Sequence, residues 1–248
     1  MLKRIWILSL LFFPAILFAD DPSTDVTQPS IVVKMAALAL LALLPFIIMM
    51  MTSFLKIVIV FSLLRNAIGV QQSPPNQALN GMALLMSIYV MFPTGVAMYE
   101  SSKSYIQTQS PKELFSSDSA YYVLNVIDQS KAPLKDFLKR NTSVKTTRYF
   151  YLLAYKKFPD AYKSELTMDD FLIIVPAYVT SQIKSAFEVG VLIYLPFFVI
   201  DLVTSNILLA MGMMMLSPLT IALPLKLLLI VMIDGWSLVV QGLVLSFR

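Results

Sequence analysis

The chain has 248 residues, 58% of them hydrophobic and 14% charged, with a formal net charge of +4. Soluble domains average about 25% charged residues, so this balance belongs to an integral membrane protein or an obligate part of a membrane assembly, and the small, scattered positive charge excludes a nucleic-acid surface. The absence of His and Cys excludes disulfides, thiolate nucleophiles, imidazole acid–base chemistry and Cys/His metal sites.

The first 20 residues read MLKRIWILSLLFFPAILFAD. Lys3 and Arg4 precede an apolar core from Ile5 to Phe18, and Ala19 precedes Asp20. That is a secretory signal pattern, although Leu17 stands where the cleavage signal wants a small residue. Residues 1–19 are therefore read as a signal peptide, with an uncleaved anchor helix as the alternative. Residues 20–34 form a polar, Pro-interrupted linker.

Met35 to Leu55 carries no charge, and the apolar run continues past Lys56 to Arg65. At 1.5 Å per residue the uncharged part alone is about 32 Å of helix, long enough to span a bilayer. Gly69 and Pro74-Pro75 then end any helix. Met82 to Tyr99 is a second apolar segment. Residues 35–99 are expected to form an apolar helical hairpin.

Residues 100–170 differ. They hold nine of the 15 acidic and 11 of the 19 basic residues. SPKE at Ser110–Glu113 is a capping-box start, and PLKDFLKR places Leu134, Phe137 and Leu138 on one face. Thr167–Asp170 is a second capping pattern. This region reads as a small helical domain outside the bilayer.

Residues 171–248 return to apolar helices broken at AMGMMMLSPLT. Met211, Met213, Met214 and Met215 surround Gly212 just before Pro218. By composition alone, this Met-rich loop is filler in a short turn. The fold class expected is all-α, with membrane-associated helical hairpins, broken apolar helices and the small extramembrane domain.

A charge at the bilayer centre costs about 2.5–3.5 kcal/mol on insertion scales. Lys56, Lys184, Glu188, Asp201, Lys226 and Asp234 all fall in or beside apolar runs, and Arg65 closes one. They must face protein or water, either as structural ion pairs or as the lining of a polar conduit. Lys184 and Glu188 can pair at i,i+4. Two S-x-x-K patterns occur, Ser53–Lys56 and Ser181–Lys184, about as many as chance supplies. Asp169-Asp170 reads as capping. No catalytic residue, cofactor or metal is expected.

Three long strings carry a resemblance. They are MTSFLKIVIVFSLLRNAIGVQQSPPNQALNGMAL (51–84), PAYVTSQIKSAFEVGVLIYLPFFVIDLV (176–203) and LLAMGMMMLSPLTIALPLKLLLIVMIDGW (208–236). Leu64–Gly69 followed by Gln71-Gln72 and Pro74-Pro75-Asn76 is its most distinctive part. The chain resembles the FliP/SctR family of type III export-gate proteins over about 33–99 and 171–247. Lys56 after TSFL, Leu79–Gly81 and Ser205–Met213 resemble injectisome (SctR) members more than flagellar (FliP) ones, whereas the signal-like N-terminus is more typical of the latter. Gln182 departs from a Glu common in relatives, which puts that residue's ion pair in doubt.

The resemblance implies a passive, gated, non-enzymatic conduit for unfolded secreted proteins. Five copies would wind with FliQ/SctS-like and FliR/SctT-like subunits, beside FlhB/SctU-like and FlhA/SctV-like components. The assembly would sit in the bacterial inner membrane, largely on its periplasmic side. The four methionines would close its lumen, and the buried charges would lie at subunit or helix contacts. A rival of another class is a small-solute transporter or channel with a site around Lys184, Glu188, Lys226 and Asp234. A cleaved signal places 65–77 inside, 100–168 outside and 204–217 inside. An anchored N-terminus leaves 100–168 cytoplasmic.

Overall fold

The computed structural model describes residues 31–70, 73–108, 117–163, 166–213 and 215–247. The signal-like segment 1–19, linker residues 20–30, Gln71-Gln72, the SPKE pattern and Met214 lie outside them. Every regular element among the described residues is helical.

The first apolar run does not form one helix. Helix α1 (Ile31–Met51) and helix α2 (Phe54–Ile68) meet at a 78° bend. Thr52 and Ser53 sit at the break, and such residues compete for helical backbone groups. The Thr52 hydroxyl accepts from the Phe54 N–H at 3.4 Å. The Thr52 carbonyl accepts from the Tyr178 hydroxyl at 3.0 Å. The Ser53 hydroxyl donates to Ser87 at 3.2 Å, with both residues buried. A bend amid apolar surfaces survives because these groups have partners.

Helix α2 stops where its glycine predicts. Gly69 adopts φ +84°, and its N–H donates to the Arg65 and Asn66 carbonyls at 3.3 and 3.1 Å. Only glycine takes this left-handed cap without strain. Helix α3 (Asn76–Thr108) follows the proline pair, and its stretch 76–103 is long and apolar enough to cross a membrane.

The charged region forms α4 (Ser117–Arg140), α5 (Val144–Lys157) and the short α6 (Asp160–Lys163). Phe137 and Leu138 are buried at the end of α4, on the face their spacing assigns. Helix α7 (Phe171–Ala210) has 40 residues and keeps Pro176 and Pro196 in its interior. At 1.5 Å per residue it is about 60 Å long, twice the hydrocarbon thickness. Asp170 precedes it, but its carboxylate turns back to Thr167 instead of capping the new helix. Helices α8 (Pro218–Met232) and α9 (Gly235–Leu245) form a second bent pair, at 61°.

Helix α2 lies at the centre and packs against α3, α7 and α8. Its Phe54, Ile57, Val60 and Phe61 pack with Leu79, Ala83, Ala186 and Leu243. Further along, Leu64, Ala67 and Ile68 meet Phe197 and Ile230. A third cluster joins Phe137 and Leu138 of α4 to Ile174 and Tyr178 of α7. The α2–α7 contact is close: a Cβ built on Gly190 would stand 2.2 Å from Leu63 Cδ1. A branched side chain there must push the helices apart. Gly190→Val is expected to cost about 1–3 kcal/mol by overpacking, read as a lower thermal midpoint of helical circular dichroism in detergent.

Candidate functional site

The hairpin of α7 and α8 carries the Met-rich loop at its tip. Helix α7 ends in a Schellman motif. The Met213 N–H donates to the Leu208 carbonyl, and the Gly212 N–H to Leu209, each at 3.0 Å. Gly212 takes φ +73° between them. Ser217 precedes α8, and Pro218 occupies its first turn, where a missing N–H does no harm. Met211 and Met213 are exposed, and Met215 entirely so.

The base of this hairpin is clamped by one buried ammonium. Lys226 on α8 is 3% exposed and donates to Asp201 Oδ2 of α7 at 2.7 Å. It also donates to the Ala67 carbonyl at 3.0 Å, at the end of α2. That carbonyl lies in the last turn of α2, beyond its own helix's supply of donors and at the negative end of the helix dipole. The partner set suits a buried cation: one carboxylate and one carbonyl at a helix end. Gly69 faces α8, and a Cβ there would make ordinary contacts, 3.9 Å from Lys226 Nζ and 3.6 Å from Leu219 Cδ1, so its φ of +84° and not its size calls for glycine.

The other sequence-derived charges separate into different settings. Lys56 is 4% exposed, donates to the Ser246 hydroxyl at 2.8 Å and lies 4.7 Å from the centre of the Phe247 ring. No carboxylate pairs with it among the described residues. Arg65 is half-buried and donates to the Pro74 carbonyl and the Asn76 side chain, pinning the turn between α2 and α3. Lys184 and Glu188 pair at 3.6 Å on α7, with side chains 72% and 63% exposed. Asp234 is exposed at the α8–α9 bend, where it takes φ +50° and accepts from the Ser237 hydroxyl at 2.9 Å. A short side chain that bonds locally makes that conformation tolerable. A Cβ on Gly235 would stand 2.6 Å from Ile230 Cγ1, so the bend closes tightly there.

The structure thus joins Asp201 to Lys226 and Lys184 to Glu188, sets Lys56 within electrostatic reach of Glu188 without an ion pair, and keeps Arg65 and Asp234 apart. Neither S-x-x-K pattern pairs its own members: Ser53 bonds Ser87, and Ser181 accepts from the Ser143 N–H at 3.2 Å. Gln182 donates to the Asn141 carbonyl at 2.7 Å, which an ionised Glu could not do. With Ser181 it ties the α4–α5 corner to α7. No group of side chains with metal-ligating composition occurs among the described residues.

Sequence reasoning missed three partners: the Ala67 carbonyl, Ser246 with Phe247, and the Asn141–Ser143 corner. One signal was available. Residues 201 and 226 stand 12 and 13 positions from Met213 at the middle of the Met-rich loop, so a hairpin folded there sets them close to opposite each other.

Among the described residues, two helices long and apolar enough to cross a membrane, two further bent apolar pairs, and a buried cation that bridges three helices define a polytopic helical membrane protein. The FliP family model matches residues 37–243. The chain is 48% identical over 210 residues to Yop proteins translocation protein R of Yersinia pestis, covering 85% of this chain and 93% of that one. It is 46% identical to virulence protein YscR of Salmonella typhimurium, covering 85% and 94%. To the hypersensitivity response secretion protein HrcR of Ralstonia nicotianae it is 39% identical, covering 90% and 99%. The chain belongs to the FliP family.

The clamp is open to test. Lys226→Met leaves the Asp201 carboxylate and the Ala67 carbonyl unpaired, and is expected to cost about 2–4 kcal/mol, read as faster proteolysis and a lower melting midpoint in detergent. Adding Asp201→Leu is expected to recover part of that loss. A strictly additive double variant would show that the two groups do not interact.

Proposed function

We propose that this chain is a core subunit of a type III protein-export gate, of the injectisome kind. Copies of it, five by family resemblance, would assemble with FliQ/SctS-like and FliR/SctT-like subunits beside FlhB/SctU-like and FlhA/SctV-like components. Unfolded proteins would pass through the conduit so formed, with no chemistry done by this chain. It would sit in the inner membrane, largely on the periplasmic side. The names of its relatives support the injectisome over the flagellum, because they speak of virulence, Yop translocation and hypersensitivity-response secretion.

The carrying observation is the Met-rich loop: an exposed apolar tip on a hairpin whose base is clamped to α2 by Lys226. Met211, Met213, Met214 and Met215 from each copy would meet around the lumen. Methionine has three rotatable bonds and a polarizable sulfur, so a ring of them fills an irregular opening and yields to diverse side chains. An apolar constriction also resists ions by dewetting. The rigid Schellman end and the Pro218 start hold the loop, while its side chains stay adaptable.

Replacing all four methionines by Ala is expected to raise ion leak through the assembled gate in growing cells and to change secretion. Unchanged leak together with unchanged secretion would remove the gasket role. Native mass spectrometry of the purified chain is expected to find a ring-sized oligomer, and a strict monomer would count against self-assembly.

A further inference from the structure

Helix α5 carries an outward face that the export role does not use. Lys145, Tyr149, Leu152 and Lys156 follow at i, i+4, i+7 and i+11, so they form one stripe, and all four are exposed. Arg148 and Lys157 flank it and are also exposed. None of these four cations pairs with a carboxylate among the described residues, and α5 itself contains no acid. Among the described residues Asp160, the first acid after α5 in the sequence, is taken by Lys163 at 2.6 Å. The buried side of the helix, around Ala154, faces the protein.

The position of the stripe matters as much as its charge. The Asn141–Gln182 and Ser143–Ser181 bonds fix the start of α5 against α7. Helix α5 packs on α7, and residues 158–170, with α6 among them, join its far end to the start of α7 at Phe171. It therefore runs back beside the first turns of α7. Just past the junction α7 carries its exposed Lys184 and Glu188, and then no charge until Asp201, which Lys226 neutralises. The stripe therefore lies beside the start of a helix long and apolar enough to cross a membrane.

We propose that this face of α5 docks on anionic phospholipid headgroups. Basic side chains near a membrane-crossing helix are drawn to anionic lipid, and exposed Tyr and Leu between them suit the headgroup boundary, where their apolar bodies leave water. An acidic protein surface would match the cations but would set the exposed Tyr149 and Leu152 against charge.

The chain has no Cys, so a single introduced thiol carries a spin label. With the full chain labelled at Tyr149→Cys, collision with a water-soluble nickel chelate is compared in nanodiscs of phosphatidylcholine alone and with phosphatidylglycerol added. Accessibility is expected to fall about threefold with the anionic lipid, and to return to the neutral-lipid value in the K145Q/R148Q/K156Q/K157Q variant. A label at Gln129→Cys, exposed on α4, is expected to stay unchanged and reports that the variant is folded. Equal accessibility in both lipids would overturn the proposal, as would a fall that persists without the four charges. Protection that appears only after other gate subunits assemble would assign the stripe to protein instead.

Discussion

The ammonium of Lys226 is the contact on which the arrangement of the apolar helices turns. It is nearly devoid of solvent, bonded to Asp201 of α7 and to the Ala67 carbonyl at the end of α2. A cation in that setting is tolerable only with an anion and a spare acceptor in place. One comes from the preceding helix of the same hairpin and the other from a helix 159 positions away, so its needs fix three elements together. They set the register of α7 against α8 and dock that pair on the central helix. They also hold the base of the loop that carries the methionines. Gly69 belongs to the same device, since its left-handed φ ends α2 two residues after the Ala67 carbonyl.

Around that clamp, each helix break has its own chemistry. At Thr52–Ser53 side chains take the freed backbone groups. At Gly69 and Gly212 a left-handed glycine lets the chain turn back on its own carbonyls. At Asp234 a carboxylate and a neighbouring hydroxyl make a positive φ acceptable. An apolar environment offers no water to repair such ends, so their internal satisfaction makes sharply bent apolar helices possible. The charged helices α4 and α5 are held to this frame by Phe137 and Leu138 against Tyr178, and by the paired bonds of residues 141–143 to 181–182.

Much of the apolar surface of the single chain is uncovered, including Phe46 and Phe92, Leu192 of α7 and Val231 of α8. Lys184 and Glu188 stand on the same long apolar helix, mostly exposed. Their i,i+4 attraction is worth only about 0.2–0.5 kcal/mol, well short of the desolvation two charges meet in hydrocarbon. Such a face suits neighbouring protein or the water-rich boundary better than lipid tails. This supports a chain whose surfaces are completed by copies of itself and by partners.

By itself the sequence determined the all-α class, the membrane setting, the family and the helix stops at Gly69, Pro74-Pro75 and Gly212. The class, the setting and the stops follow from composition and from local backbone rules, which operate within a few residues, and the family follows from the long strings that resemble it. It also isolated the unusual charges, because a Lys or Asp in an apolar run is conspicuous wherever it folds. Only the tertiary structure decided which of them are buried and what they meet. Lys56 is satisfied by Ser246, 190 positions away, and no periodicity encodes that contact. The bend after Met51 was equally hidden, since the run stays apolar across it and the deciding group is the Tyr178 hydroxyl from another helix. Local rules fix where helices can end. Which groups stand beside those ends depends on packing between segments far apart in the chain, where a single buried cation outweighs any local preference.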